Sequence, residues 1–323
     1  RFKPNLRGEP VSSTVDTSRR VGIDVGGTKC LGVVWSEGRI VDEVRRMTPD
    51  GADALTEVLT SMVKDFGEVD SVGIGICGLV ARGGVLRASP NLHGITDFPI
   101  GALLSERLGT QVWVDNDATC ATVAEWSAGA AMGCQDVVVV ALGTGNGGGI
   151  IAGGQLIRGT NGFAGEIGHM IVEPDGPLCP CGRRGCWERY ASGNGLAHIA
   201  RQAAEGGKQK CIIELAGSIE LIRGEHVVQA VTMGDDEALL IIDEFAHWIA
   251  LGLANLTNAL DPEMFVIGGG LAASGDIFLD PVRRAFSEIL YAPTLRPHPK
   301  VVVARFGEQA GAIGAALLAT QTH

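Results

Sequence analysis

The chain has 323 residues, 46% of them hydrophobic, enough for about two domains. Its formal net charge of −11 leaves no basic excess to neutralise phosphates, which excludes a general nucleic-acid binder and a binder of membrane surfaces. Glycine is the informative count: 47 residues, about twice the usual share, gathered in clusters beside apolar runs.

Residues 1–19 are polar and broken by Pro4, Gly8 and Pro10, which predicts a loosely ordered lead. VGIDV at 21–25 reads as a short buried strand, GGTK as a turn, LGVVW as the return strand and 38–47 as a third strand. Leu55, Val58, Leu59, Met62, Val63 and Phe66 keep helical spacing and predict a helix over 52–66. A strand over 71–76, a helix over 100–108 and a strand over 111–114 follow. The rhythm then restarts with a helix over 117–130, a buried strand over 136–142, a glycine turn and a return strand over 149–152. Strand, glycine turn, strand therefore occurs twice, at 21–35 and at 136–152. A largely buried helix over 239–260, a strand entering a third glycine turn, a strand over 301–306 and a small-residue helix over 310–319 complete two α/β halves. No run of 18 apolar residues and no signal-peptide pattern occurs, so no membrane partner is expected.

DVGGTK joins two strands instead of opening a helix, so it is neither a P-loop nor a dinucleotide fingerprint. Gly26 and Gly27 let backbone amides approach an anion, while Thr28 adds a hydroxyl and Lys29 a cation. A plain hairpin is the bland alternative for one such turn, but LGTGNGGG and VIGGG repeat the device. VDNDA sets two carboxylates and an amide where a strand ends and a helix begins, a place that faces a crevice. Phosphorylating an alcohol needs a carboxylate there to accept the hydroxyl proton, although Asp117 also fits a helix N-cap. NGFAGEIGH carries Glu166 and His169, and CWE carries Glu188; these suit hexose hydroxyls or an ordinary solvated loop. His169 with Cys179, Cys181 and Cys186 is a soft, tetrahedral ligand set that suits zinc, and a disulfide with a spare thiol fits a cytosolic chain poorly. The other cysteines sit singly in apolar segments, as small buried hydrophobes of a cytoplasmic protein.

Across about residues 20–320 these motifs resemble the sugar-kinase, hexokinase, Hsp70 and actin superfamily, and within it the ROK family, nearest its glucokinases. The resemblance implies a two-domain α/β actin-like ATPase (ribonuclease H-like) fold with a nucleotide and sugar cleft between the domains. The smaller domain is expected over 20–116, completed by the C-terminal helix 310–323, and the larger over 117–309. By the same resemblance Asp24 holds Mg²⁺, and Gly26, Gly27, Thr28, Lys29, Gly143, Thr144 and Gly145 wrap the phosphates of ATP. Gly268, Gly269, Gly270 and Ser274 lie along the adenosine. Asp117 is the catalytic base, and Asn91, Asn116, Glu166, His169 and Glu188 join it in binding the sugar. The pattern GH…CxCGxxGCxE assigns His169, Cys179, Cys181 and Cys186 to a structural Zn²⁺ that fixes His169, with its other ring nitrogen toward the sugar. The implied reaction is glucose and ATP to glucose 6-phosphate and ADP, in the cytoplasm, by a homodimer or homotetramer.

Cys77 stands where the family usually has Pro, Ala81 where a polar residue is common, and Thr119 where Asn is usual. The first two departures touch the sugar-side wall, so N-acetylglucosamine, N-acetylmannosamine or another hexose is the alternative substrate. ROK repressors are the rival of another class. They carry a helix-turn-helix domain, and the short lead ahead of VGIDVGG has neither helical period nor a basic face.

Overall fold

The computed structural model describes residues 16–271 and 275–319. β1 (Arg20–Val25), β2 (Lys29–Ser36) and β3 (Arg39–Met47) form an antiparallel meander, and α1 (Ala52–Asp65) returns the chain to β4 (Ser71–Ile76) beside β1. β5 (Leu79–Ala81), β6 (Val85–Ala88) and β7 (Thr96–Phe98) make a small sheet of their own. α2 (Ile100–Leu108) then leads to β8 (Val112–Asn116), and α3 (Asp117–Ser127) follows with no linker. The first sheet has the order β3-β2-β1-β4-β8, antiparallel on one side of β1 and parallel on the other.

The second half repeats that plan. β9 (Val137–Leu142), β10 (Asn146–Ala152) and β11 (Gln155–Leu156) run antiparallel, and β12 (Met264–Gly268) and β13 (Lys300–Val303) extend the sheet in parallel to the order β11-β10-β9-β12-β13. Between them come α4 (Gly193–Glu205), α5 (Lys210–Ala216), α6 (Gly224–Thr232), α7 (Asp236–Leu260) and α8 (Asp276–Ile289), and α9 (Ala310–Leu318) closes the described chain.

Strand alternation decides what each face meets. Val21, Ile23 and Val25 of β1 enter a core with Leu55, Leu59 and Met62 of α1. Gly22 and Asp24 face the other way, toward α9. A Cβ on Gly22 would come within 1.9 Å of the Ala312 carbonyl, and one on Gly73 of β4 would meet the Ala315 carbonyl at the same distance. The small residues of α9 and the strand glycines are thus matched, letting the last helix lie directly on the first sheet. A separate core joins Val138, Val140, Phe265 and Ile267 to Ile241, Phe245 and Ile249 of α7. Removing a side chain such as Phe265 would cost about 3–5 kcal/mol.

Several elements depart from the sequence reading. α7 begins at Asp236, because Asp235 caps it by accepting from the Ala238 amide at 2.8 Å. By length and composition α7 is apolar enough to cross a bilayer, yet 56% of its most apolar stretch is buried inside the protein, as in a core helix. α3 stops at Ser127 instead of 130, and β13 stops at Val303 instead of 306. Both ends turn toward the buried carboxylate of Glu125, which accepts from the amides of Ala130, Arg305 and Phe306. Residues 16–19 of the lead are tied down: Arg19 donates from its amide to Asp70 and from its guanidinium to the Phe66 carbonyl. Residues 1–15 and 320–323 lie outside the described residues.

Candidate active site

The parallel strands β1, β4 and β8 end side by side, with Asp24 paired to Gly75 and Gly75 to Asp115. This carboxyl end is where open α/β sheets present ligand-binding groups. Asp24 sits in a recess against α9, where a Cβ on Gly311 would touch its carboxyl carbon at 2.7 Å. Burial, reinforced by the negative charge of Asp117 and only partly offset by Lys29, pushes its pKa up to about 7. An uncompensated buried acid at a glycine turn fits a divalent cation that would keep it ionised. Gly26 closes the turn by donating to the Lys29 carbonyl at 3.0 Å. Among the described residues, no backbone acceptor takes the amides of Gly27 or Thr28. The Lys29 amine is held by Glu308 at 2.7 Å; Arg45 takes the other oxygen of Glu308 at 2.6 Å, and the two cations hold that carboxyl down near 2.

The second turn is built alike. Gly143 donates to the Gly145 carbonyl at 3.0 Å, leaving the amides of Thr144 and Gly145 without a backbone acceptor among the described residues. Gly268, Gly269 and Gly270 lie at the end of β12 beside it. Gly269 has φ 84° and approaches Leu142 so closely that a Cβ would meet its carbonyl at 2.4 Å. Ser274 lies outside the described residues.

Asn116 caps α3: its side-chain oxygen accepts from the Thr119 amide at 3.0 Å, and its amide group donates to the Gly78 carbonyl at 3.1 Å. The N-cap is therefore Asn116, which leaves Asp117 as the first residue of the helix. Asp117 accepts from the Ala118 amide with Oδ1 at 2.9 Å. Burial raises its pKa, opposed by hydrogen bonds from the backbone. Asp115, the other carboxylate of this motif, is turned away and paired with Arg158 at 2.7 Å. Asn91 packs on the first glycine turn, 2.9 Å from where a Gly27 Cβ would be. Cys77 lies between Ser89, Asn91 and Asp117, and burial pushes its thiol up to about 11, so it is a neutral wall.

Glu166, His169 and Glu188 come together from the second half. His169 Nε2 is 3.9 Å from Glu166, and Nδ1 is 3.8 Å from both Glu188 and the Cys179 sulfur. The Glu166 pKa is raised by burial first, then by the charges of Asp117 and Glu188, with His169 opposing. Glu166 and Asp117 are therefore near enough for their charges to interact. Glu188 is fixed from behind by Trp187, which is fully buried, donates to the Trp248 carbonyl at 2.7 Å and fills the groove at Gly252 of α7. A Cβ on Gly145 would meet a Glu188 oxygen at 2.9 Å, so the second phosphate-type turn and the knot are in contact.

The ligating atoms of His169, Cys179, Cys181 and Cys186 lie within 4.8 Å of one another. A tetrahedral zinc with Zn–S near 2.3 Å needs ligand separations of about 3.7 Å. The 3.5 Å between Cys181 and Cys186 and the 3.8 Å between Cys179 and His169 fit it. The Cys179–Cys186 loop is folded by Gly182 and Gly185, both at positive φ; a Cβ on Gly185 would overlap the Glu173 carbonyl. These residues can bind a metal, and they present Nδ1 to it while Nε2 points to Glu166.

Sequence reasoning missed Arg158, Glu308 and Gly311. Each acts on a partner far away in the chain, and none lies in a motif with a recognisable spacing.

The ROK family profile matches residues 20–322. The chain belongs to the ROK family. It is 38% identical to a glucokinase of Streptomyces coelicolor over 309 residues, spanning 93% of this chain and 97% of that one. An N-acetylmannosamine kinase of Escherichia coli O157:H7 is 32% identical over 93% of this chain and 97% of its own length. The fold superposes with a TM-score of 0.85 on a ROK family glucokinase from Streptomyces griseus, solved with glucose and AMPPNP, at 39% identity over 94% of this chain and all of the other. The two-domain, actin-like α/β architecture expected from the sequence is the one observed.

Proposed function

We propose that this protein transfers the γ-phosphoryl group of ATP to the C6 hydroxyl of glucose, with Asp117 as general base. One observation carries the reading: Asp117 lies close enough to both Asp24 and Glu166 for the charges to interact. The residue that accepts the proton thus stands near both the turn suited to phosphates and the pocket suited to a sugar. The similarity to the Streptomyces glucokinases supports glucose and ATP as the pair of substrates.

Glu166, His169 Nε2, Glu188, Asn116 and Asn91 hold the sugar hydroxyls and leave C6 toward Asp117. Asp117 Oδ2 takes the hydroxyl proton as the oxygen–phosphorus bond forms and the bond to ADP breaks. The amides of Gly27, Thr28, Thr144 and Gly145 take phosphate oxygens from the two sides, and Gly268, Gly269, Gly270 and Ser274 line the adenosine. Asp24 would hold Mg²⁺, which would supply neutralisation of phosphate charge. Lys29 leaves Glu308 for the nucleotide or meets it from there. The division at 116/117 makes the β8–α3 junction the hinge, so closing the cleft brings phosphates to sugar and excludes water.

The metal at His169, Cys179, Cys181 and Cys186 is zinc and structural, since four protein ligands complete its shell. Its work is to pin His169 beside Glu188. All eight cysteines are unpaired, which supports a reducing, cytoplasmic location. The alternative substrate with an observation in its favour is N-acetylmannosamine, given the kinases at 32% identity.

A coupled ADP-release assay with MgATP and glucose tests the reading. Sugar-dependent release that vanishes without magnesium is expected; release with polyphosphate but not ATP would overturn the choice of donor.

A further inference from the structure

β8 is an outermost strand of the first sheet, and among the described residues its strand ladder is with β4. Yet it ends in Asn116, with Asp117 next in the chain. The Asn116 cap holds that end to α3 and to the Gly78 carbonyl, and Arg158 adds a hold from outside the sheet through Asp115. Its Nε donates to Asp115 Oδ2 at 2.7 Å, and the two side chains are only 19% and 14% exposed. The other oxygen, Asp115 Oδ1, accepts from the Asn116 amide at 2.9 Å. One carboxylate thus links the guanidinium to the backbone one residue before Asp117.

Arg158 is equally tied to the opposite wall. It follows β11 and opens the loop that leads to Glu166 and His169, and its carbonyl accepts from the Ala164 amide at 3.1 Å. A second arginine holds the same loop from the first half. Arg82 donates through Nε and Nη2 to the Gly159 carbonyl at 3.2 and 2.7 Å, and its amide donates to Asn161 at 3.1 Å. Gly162, at φ 99°, sits so close to Val80 that a Cβ would meet its carbonyl at 2.7 Å. Arg82, Asp115 and Arg158 border a cavity of about 380 Å³ behind β8.

We propose that Arg158 is a positioning residue. Its ion pair with Asp115 sets the spacing between the Asn116–Asp117 end of β8 and the Glu166–His169 loop, and hence the width of the sugar site. The inference rests on the sugar-site reading above. Arg158 touches no reacting atom; it acts through Asp115 and through the loop that it opens. The nucleotide side is fixed by the glycine turns, and the hydrogen bonds of this pair run to Asn116 and within the pair, not to those turns. Loss of the pair therefore falls on the sugar and spares ATP.

Arg158→Met alone strands an ionised Asp115 beside the cavity and threatens folding. The informative variant is Arg158→Met with Asp115→Asn, which removes both charges and keeps an acceptor for the Asn116 amide. Three quantities are measured on the full chain: melting temperature, KM for glucose against KM for ATP, and amide exchange at residue 82 and over 159–169. The double variant is expected to melt near wild type, with kcat/KM for glucose lowered at least about tenfold, since misplacement by about 1 Å costs on that order or more. KM for ATP stays within about twofold on the same grounds, and the amides of Ala164 and Arg82 exchange faster. Wild-type kinetics for glucose, or an equal loss toward ATP, or unchanged exchange would overturn the proposal. A wild-type protein that phosphorylates no sugar, with exchange altered as expected, would count against the glucose reading and leave the brace standing.

Discussion

The glycine turns of the two halves occupy matching places, each between the first two strands of a five-stranded sheet with the same strand order. Their surroundings are opposite in character. The first turn is bounded by ionisable groups: Asp24 in its recess, Lys29 and Arg45 gathered on Glu308, and Asp117 across the strand ends. The second, Gly143, Thr144 and Gly145, has no charge of its own and leans on Glu188 and the His–Cys knot. A duplicated backbone thus yields two glycine turns with free amides, while side chains put a buried acid beside one and the Glu166–His169–Glu188 cluster beside the other. Asp117, first residue of the helix between the halves, is the group both sides share.

Removing the shared group is the strongest way to break this picture. Asp117→Asn should keep the fold and lower kcat by about 10²–10⁴, the range for a general base. Steady-state kinetics that retain more than about a third of wild-type kcat would contradict a role of that size. Because burial raises the Asp117 pKa and the base must be ionised, activity should fall on the acid side at a pH above the ordinary carboxylate range. A pH–rate profile checks the displacement.

Metal removal probes the second half alone. Elemental analysis should find one zinc per chain. Stripping it should lower the melting temperature and raise KM for the sugar, because His169 and Glu188 lose their support, with KM for ATP changed less. Protein without metal whose thiols ignore chelators would exclude the knot as a zinc site.

The two turns can be compared directly with alanine. At Gly145 an added Cβ meets Glu188 at 2.9 Å, whereas at Gly143 it meets nothing within 4 Å. Gly145→Ala should raise KM for both sugar and ATP, and Gly143→Ala should spare the sugar. Equal sugar effects would mean that the second turn and the sugar pocket are not coupled through Glu188.

Asp24 gives a pH signature of stability. In cation-free protein the folded state keeps the Asp24 proton up to about pH 7, while the unfolded chain loses it near 3.8. Stability is therefore lost as pH rises between those values. Asp24→Asn should raise the melting temperature above pH 7 and leave it unchanged below 3.8. A gain independent of pH would contradict the buried acid. The smallest effect belongs to Lys29→Ala. Lys29 is half exposed and already paired with Glu308, so KM for ATP should rise only severalfold and KM for glucose hardly move.

Much of this was legible in the chain. The paired strands about GGTK and GTG, the apolar run of α7 and the CPCG…GC cluster are local patterns whose spacing states their geometry. Other parts were not, among them α4, α5 and α6. β5, β6 and β7 are three or four residues long and broken by Gly78, Gly83 and Gly84, too short for a period. α8 holds Pro281 inside it, a residue that ordinarily argues against a helix. The pairs Arg158–Asp115 and Lys29–Glu308 span 43 and 279 residues, so only the folded chain brings them together. The two acids of VDNDA looked alike in sequence; one faces the cleft and the other faces Arg158.

The central claim, that the pocket of the second half selects glucose for Asp117, is tested most directly by competition between sugars. With MgATP held constant, kcat/KM is measured for glucose, N-acetylglucosamine and N-acetylmannosamine. A pocket of hydrogen-bonding carboxylates and imidazole penalises a changed C2 substituent by leaving its polar groups unpaired. Glucose should lead both acetamido sugars by at least about tenfold on that ground. N-acetylmannosamine ahead of glucose would keep the kinase and contradict the sugar assigned to it.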